Sequence, residues 1–223
     1  MFSVNLGATL AQRGRRVALI DLDLGMRNMD LYLGMENRVV FNIMDVMTGM
    51  CRLSKALLKV QGFDSLYFMA ASPRSHDGKI TDQHMSALCE LLRKYFDYII
   101  IDTGAGAGDL LTAAAKAADT GVIVTEPEIA ALRDGDTIAS ILGDCGLRDI
   151  CMVINKVDLE LVSAGILPDV ESIINSTGTP VVGIIQLNRD IRISTSRGTP
   201  VVCKTETDTA RNFLAITGRI IQD

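Results

Sequence analysis

The chain has 223 residues and a formal net charge of −5, from 22 Lys and Arg against 27 Asp and Glu, and 48% of its residues are hydrophobic. That length suits one α/β domain, 1–223, with enough chain to bury a sizeable core. An acidic charge spread along the chain argues against non-specific nucleic-acid binding, which rests on clustered Lys and Arg.

The first helical pattern covers 2–13, followed by an apolar run, 17–21, that is too short for a helix and reads as a buried parallel strand. Further strand-like runs occur at 66–70, 98–102, 121–125, 151–155 and 181–185, and helical patterns at 81–95, 109–117, 130–142, 170–176 and 208–221. Thr81 is the expected N-cap of its helix, with Met85, Leu88, Leu92 and Tyr95 at helical spacing. This alternation implies a doubly wound, mostly parallel sheet flanked by helices on both faces. The five cysteines, Cys51, Cys89, Cys145, Cys151 and Cys203, form no CxxC pair, so reduced, buried thiols in a cytoplasmic protein are expected. His76 and His84 read as surface residues. No signal peptide is visible, and no apolar run approaches the ~20 residues of a spanning helix.

The chemistry-bearing stretch is VALIDLDLGMRNMDLYLG, 17–34. Asp21 and Asp23 close a strand, where open α/β sheets bind ligands, and alternate residues share a face, so both carboxylates can address one site. Asp102 ends a second strand, DYIIID, and is followed by Thr103, Gly104, Ala105 and Gly106. An Asn-Lys-x-Asp tetrapeptide, Asn155 to Asp158, follows a third. Read alone, Asp102 is a metal-holding carboxylate or a helix cap, and the tetrapeptide is a weak guanine-recognition pattern.

The stretch LDLGMRNMDL resembles the MinD branch of the MinD/ParA family of P-loop ATPases. TEPEIAALRDGD (125–136) and GIIQLNRDIRISTSRGTPVV (183–202) extend that similarity along essentially the whole chain. The resemblance implies ATP and Mg²⁺ as ligands. Asp102 would be a Walker B carboxylate acting with Asp21 on the metal, and Asp23 would orient the attacking water. Gly106 would offer its N–H to the γ-phosphate, while Asn155 and Gln186 would meet the base. Asn28, Asp30, Arg133, Asp134 and Asp136 would lie on surfaces used in ATP-dependent homodimerisation and in contacts with partners of the MinC and MinE type.

The chain departs from the family pattern at two sites, with Gly104 in place of a proline and Gln186 in place of another. A P-loop needs a glycine-rich segment ending in Gly-Lys-Ser/Thr. The opening MFSVNLGATLAQRG resembles the family's stretch directly after that segment, which places Met1 where the second threonine of the loop would sit. Weak nucleotide binding and a central defect in the sheet are therefore expected of this chain. Its end, TARNFLAITGRIIQD, resembles a last core helix without the basic amphipathic membrane helix of the branch, so no lipid binding is expected. The implied function is division septum site selection. The alternatives are a non-enzymatic pseudo-ATPase scaffold and a related GTPase that uses Asn155, Lys156, Val157 and Asp158.

Overall fold

The computed structural model describes residues 1–74, 80–204 and 206–222. His76 lies outside them. The elements run α1 (Phe2–Gln12), β1 (Val17–Asp21), α2 (Met29–Tyr32), α3 (Ile43–Met47), α4 (Leu53–Ala56), β2 (Leu58–Lys59), β3 (Leu66–Met69), α5 (Asp82–Leu92) and β4 (Tyr98–Asp102). They continue with α6 (Asp109–Ala117), β5 (Thr120–Thr125), α7 (Ile129–Asp144), β6 (Asp149–Val157), α8 (Leu159–Ser163), α9 (Val170–Asn175), β7 (Val181–Gln186), α10 (Arg189–Ser196), a 3-10 turn (Val201–Cys203) and α11 (Asp208–Ile221).

The strands form two sheets. One has the order β2-β3-β1-β4 and the other β5-β6-β7. Every pairing is parallel except that of β2 with β3. β4 pairs only with β1, and β5 only with β6, among the described residues. Each therefore presents one edge with no ladder partner among the described residues.

Strand alternation divides the core by face. Val17 and Leu19 of β1 point to one side with Leu66 and Phe68 of β3. There they join Leu6 and Leu10 of α1, Phe213 and Ile216 of α11, and Val153 and Ile185 of the second sheet. This cluster is the apolar layer common to both sheets. Ala18 and Ile20 point to the other side, against Met85, Leu88 and Leu92 of α5 and Ala113 of α6. A third cluster joins Ile123, Met152 and Ile154 to Leu132 and Leu142 of α7. α1 approaches β1 closely because Gly7 has no side chain: a Cβ there would lie 2.6 Å from Leu19 Cδ2.

Thr81 caps α5 as expected, and its hydroxyl accepts from the His84 N–H at 3.3 Å. The helix stops at Leu92, however, and Tyr95 lies beyond it with 63% exposure rather than on its apolar face. α10 occupies a stretch where no helix is expected. The thiols also differ from expectation: Cys89 and Cys151 are buried, whereas Cys51 and Cys145 are half-buried and Cys203 is exposed.

Candidate nucleotide site at the carboxyl edge

The parallel register of β1 and β4 sets Asp21 directly opposite Asp102. The second sheet carries two further candidates at the ends of its own strands. Asn155 lies near the end of β6 and Gln186 at the end of β7. In open α/β sheets this carboxyl edge is where ligands sit.

Asp21 is 1% exposed. Its carboxylate accepts from the Asp23 N–H at 3.0 Å and from the Met29 N–H at 3.4 Å, which folds the chain back over the strand end. Burial pushes its pKa up to about 6. The Asp23 and Met29 N–H bonds oppose that rise, and the Asp102 and Asp23 carboxylates add to it. Asp23 is half-buried, and its pKa is also raised, first by burial and then by Asp102. Three carboxylates thus crowd one corner of the sheet, a charge distribution that a divalent cation relieves. The N-terminus of α1 opens at the same corner. Burial lowers the pKa of the Met1 amino group, and the Asp102 and Asp21 carboxylates raise it. No side chain caps that helix. Its first N–H groups and the positive end of its dipole are therefore available to an anion.

The loop after β4 passes Asp23 at close range. A Cβ built on Gly104 would lie 2.7 Å from Asp23 Oδ1, so the glycine that departs from the family's proline is what admits Asp23 to this position. Gly106 follows with φ +102 and open space around it, a conformation that L side chains rarely adopt. In the sequence, Gly104 signals only added flexibility. Its steric role is hidden there, because the cause lies in the segment after β1.

The segment after β1 is tied down from inside. Gly25 donates to the Ser72 carbonyl at 3.0 Å, and the Arg27 N–H to the Asp23 carbonyl at 3.0 Å, with Arg27 in the left-handed region at φ 39. Asp30, expected on a partner or dimer surface, is 2% exposed, and its Oδ2 lies 2.6 Å from Arg27 Nη2. Asn28 is half-buried at the start of α2.

Of the α7 residues, Arg133 and Asp134 are exposed, as a contact surface requires. Asp136 is instead committed within the chain. It accepts from Thr177 Oγ1 at 2.6 Å, from Thr179 Oγ1 at 2.8 Å, and from the backbone N–H groups of Gly178 and Thr179 at 3.1 Å. Burial raises its pKa, but these four bonds outweigh burial and leave it lowered. No sequence signal marks this role, because the bonded turn is distant in the chain.

The Asn155–Asp158 segment bends. Pairing of β6 with β7 shifts between Ile154 and Val157, and Lys156 takes φ 56 while its ammonium pairs with Glu126. Asp158 caps α8, accepting from the Glu160 N–H at 3.0 Å and the Leu161 N–H at 3.2 Å. Both bonds fall on Oδ1, so the Asp158 carboxylate has a local capping role that the tetrapeptide does not reveal in the sequence.

Two packed sheet segments with helices on both faces, and facing carboxylates at the ends of neighbouring strands, define the class of P-loop NTPase-like α/β proteins. Comparison with known proteins narrows this. A family model described as ParA: NUBPL iron-transfer P-loop NTPase matches residues 1–221. The putative septum site-determining protein MinD of Oltmannsiellopsis viridis is 37% identical over 203 residues, which is 91% of this chain but 64% of that protein, so the chain spans less than two-thirds of that relative. The septum site-determining protein MinD of Helicobacter pylori is 36% identical over 227 residues, covering 98% of this chain and 84% of that one.

Among solved structures, the MinC:MinD cell division protein complex of Aquifex aeolicus superposes with a TM-score of 0.89 at 29% identity, covering 100% of this chain and 89% of that one. The septum site-determining protein MinD of Pyrococcus horikoshii complexed with Mg-ADP gives 0.86 at 26% identity, covering 98% and 88%. The chain belongs to the MinD/ParA family of P-loop NTPases. No helix among the described residues is long and apolar enough to cross a membrane.

Proposed function

We propose that this chain is the nucleotide-handling core of a MinD-type ATPase that acts in division septum site selection. The observation that carries this reading is the register of Asp21 against Asp102, with Asp23 held beside the β4 loop by Gly104, in a chain similar to septum site-determining proteins over nearly its whole length. Asp102 and Asp21 are the residues that would hold Mg²⁺, which keeps much of its water and takes one or two carboxylates. When bound, the metal neutralises charge on the transferred phosphoryl group. Asp23, nearer the surface than Asp21, orients the attacking water. Gly106, in a left-handed loop, turns its backbone toward the phosphates, and the open start of α1 adds anion-binding N–H groups. Asn155 and Gln186 meet the adenine base.

ATP-dependent homodimerisation and binding of MinC- and MinE-type proteins belong to the same proposal. The similarity to a MinC:MinD complex supports the first of these partners, and the exposed Arg133 and Asp134 of α7 are the residues offered for contact. A cytoplasmic location is part of this reading. The iron-transfer description of the family is the weaker guide here, since the cysteines are scattered and no group of three or more metal-binding side chains occurs among the described residues.

The test uses the chain extended at its amino end by a strand and a Gly-Lys-Thr loop. It is expected to hydrolyse ATP in preference to GTP. Asp23→Ala should abolish turnover while nucleotide affinity stays within a few-fold, because a water-orienting group acts in the transition state. Asp102→Ala should weaken Mg²⁺-dependent binding itself. Equal loss of affinity in both variants, with normal turnover per bound nucleotide in Asp23→Ala, would refute these roles.

A further inference from the structure

Two glycines from distant parts of the chain meet backbone to backbone. Gly34 follows α2 and Gly198 follows α10, and both are left-handed, at φ +62 and φ +59. A Cβ built on Gly198 would lie 2.5 Å from Gly34 Cα, 2.6 Å from Gly34 N and 3.1 Å from the Leu31 carbonyl oxygen. A rotamer change cannot absorb a displacement at such a contact. Each glycine closes a segment that starts at the carboxyl edge. Gly198 ends the stretch that leaves β7 at Gln186. There the Leu187 N–H donates to the Val157 carbonyl at 2.9 Å, Asn188 caps α10, and the Gly198 N–H closes the last turn on the Thr195 carbonyl at 3.1 Å. Gly34 ends the stretch that leaves β1 at Asp21, and its N–H donates to the Leu31 carbonyl at 3.2 Å.

Between Asp21 and Gly34 stands α2, one turn of four residues with no side-chain cap. A single turn does not hold itself, so its place is set by what it packs on. Its other anchors are side chains: Met29, with Leu33 and Met35 just beyond the turn, lies in the apolar layer shared by both sheets. Met29, the first residue of the turn, donates its N–H to Asp21 Oδ2 at 3.4 Å. That is already longer than the usual range of about 2.7–3.2 Å. Carbon atoms in contact rest about 3.5–4.0 Å apart, so a methyl at 198 would have to move the end of α2 by about 1 Å. A shift of that size either breaks the Met29 bond or drives its nitrogen and oxygen into overlap.

We propose that Gly198 is a positioning residue for the Asp21 carboxylate, which it holds in place through its backbone contact with Gly34 and the α2 turn. The contact carries the placement of the segment behind Gln186, on one sheet, to a carboxylate on the other. The use of Asp21 toward Mg²⁺ rests on the nucleotide reading above. The contact and its hold on Asp21 do not, so the two can fail separately.

The test is made by NMR on the nucleotide-free chain, reading hydrogen exchange of single amides and the carboxyl carbon signal of Asp21. Gly198→Ala should speed exchange of the Met29 amide by about ten-fold or more and move the Asp21 signal, while amides of β3 and β6 keep their protection. Gly165→Ala is the control. Gly165 has φ +69 with nothing within 4 Å of its Cβ position, so alanine there meets the same backbone strain without a contact, and neither signal should change. Gly34→Ala is the milder push, since its Cβ would lie 3.1 Å from the Gly198 carbonyl oxygen. It should alter the same two signals less strongly, and it decides the matter if Gly198→Ala does not fold. The proposal is overturned if the Met29 amide and the Asp21 signal stay unchanged in the folded variants, or if faster exchange spreads evenly over β1, β3 and β6. It is also overturned if Gly165→Ala gives the same change, or if both contact variants fail to fold, which would leave the contact a role in stability alone. Unaltered Mg²⁺-dependent nucleotide binding in Asp102→Ala would instead strike the nucleotide reading and leave this result standing.

Discussion

A methyl group at residue 104 would sit 2.7 Å from Asp23 Oδ1, too close for either to stay in place. Gly104→Ala is therefore expected to displace the Asp23 carboxylate, and in the extended chain to lower kcat by roughly 10²-fold with little change in nucleotide affinity, as misplacement of about 1 Å costs a positioned group. Steady-state kinetics beside calorimetric binding check this. Thr9 carries the opposite kind of defect. Its Oγ1 is buried without a hydrogen-bond partner, so Thr9→Val should stabilise the chain by about 1 kcal/mol, read as a rise in Tm. Asp136 supports the turn at Thr177–Thr179, and Asp136→Ala should cost about 2 kcal/mol at pH 7. Because its folded pKa is lowered, that contribution is complete above the unfolded carboxylate value of about 3.9. It is lost as pH falls through the folded value, so the difference in Tm between the two proteins should shrink toward pH 3. The carboxylates of the site were legible in the sequence, since Asp21, Asp23 and Asp102 end apolar runs. The role of Asp136 was not, because its partners at Thr177–Thr179 lie far along the chain, and for Asp30, whose partner Arg27 is local, it was the burial of the pair that the sequence hid.

Helix and strand bounds repeat the pattern. β1, β4, α6 and α11 coincide with the runs read from hydrophobic periodicity. α10 was invisible because its sequence, RDIRISTS, is mostly polar and shows two isoleucines where an amphipathic helix shows a stripe. Its one local signal is Asn188, which caps it by accepting from the Asp190 N–H at 2.7 Å. The short α3 is similarly set by a capping box between Asn42 and Asp45 rather than by hydrophobicity. Where elements meet closely, small residues decide the fit. α11 lies on β7 because Gly183 leaves room for Ile216, and any Cβ there would overlap that side chain. Gly183→Ala should destabilise by about 1–3 kcal/mol through forced repacking, and the double variant Gly183→Ala with Ile216→Ala, which removes the Cγ1 that the new Cβ would meet, should cost less than the sum of the two single changes. Chemical denaturation of the single and double variants measures both.

The molecule as a whole is two sheets held by one shared apolar layer. Phe213 sits in that layer, its ring centroid 5.9 Å from that of Phe2, among side chains of both sheets. Phe213→Ala should cost about 3–5 kcal/mol and also weaken the link between the sheets. The four tyrosines, Tyr32, Tyr67, Tyr95 and Tyr98, all lie in the part of the chain that builds the four-stranded sheet. Tyrosine fluorescence therefore follows that half, while far-ultraviolet circular dichroism follows both, and in the variant the two unfolding curves should cease to coincide.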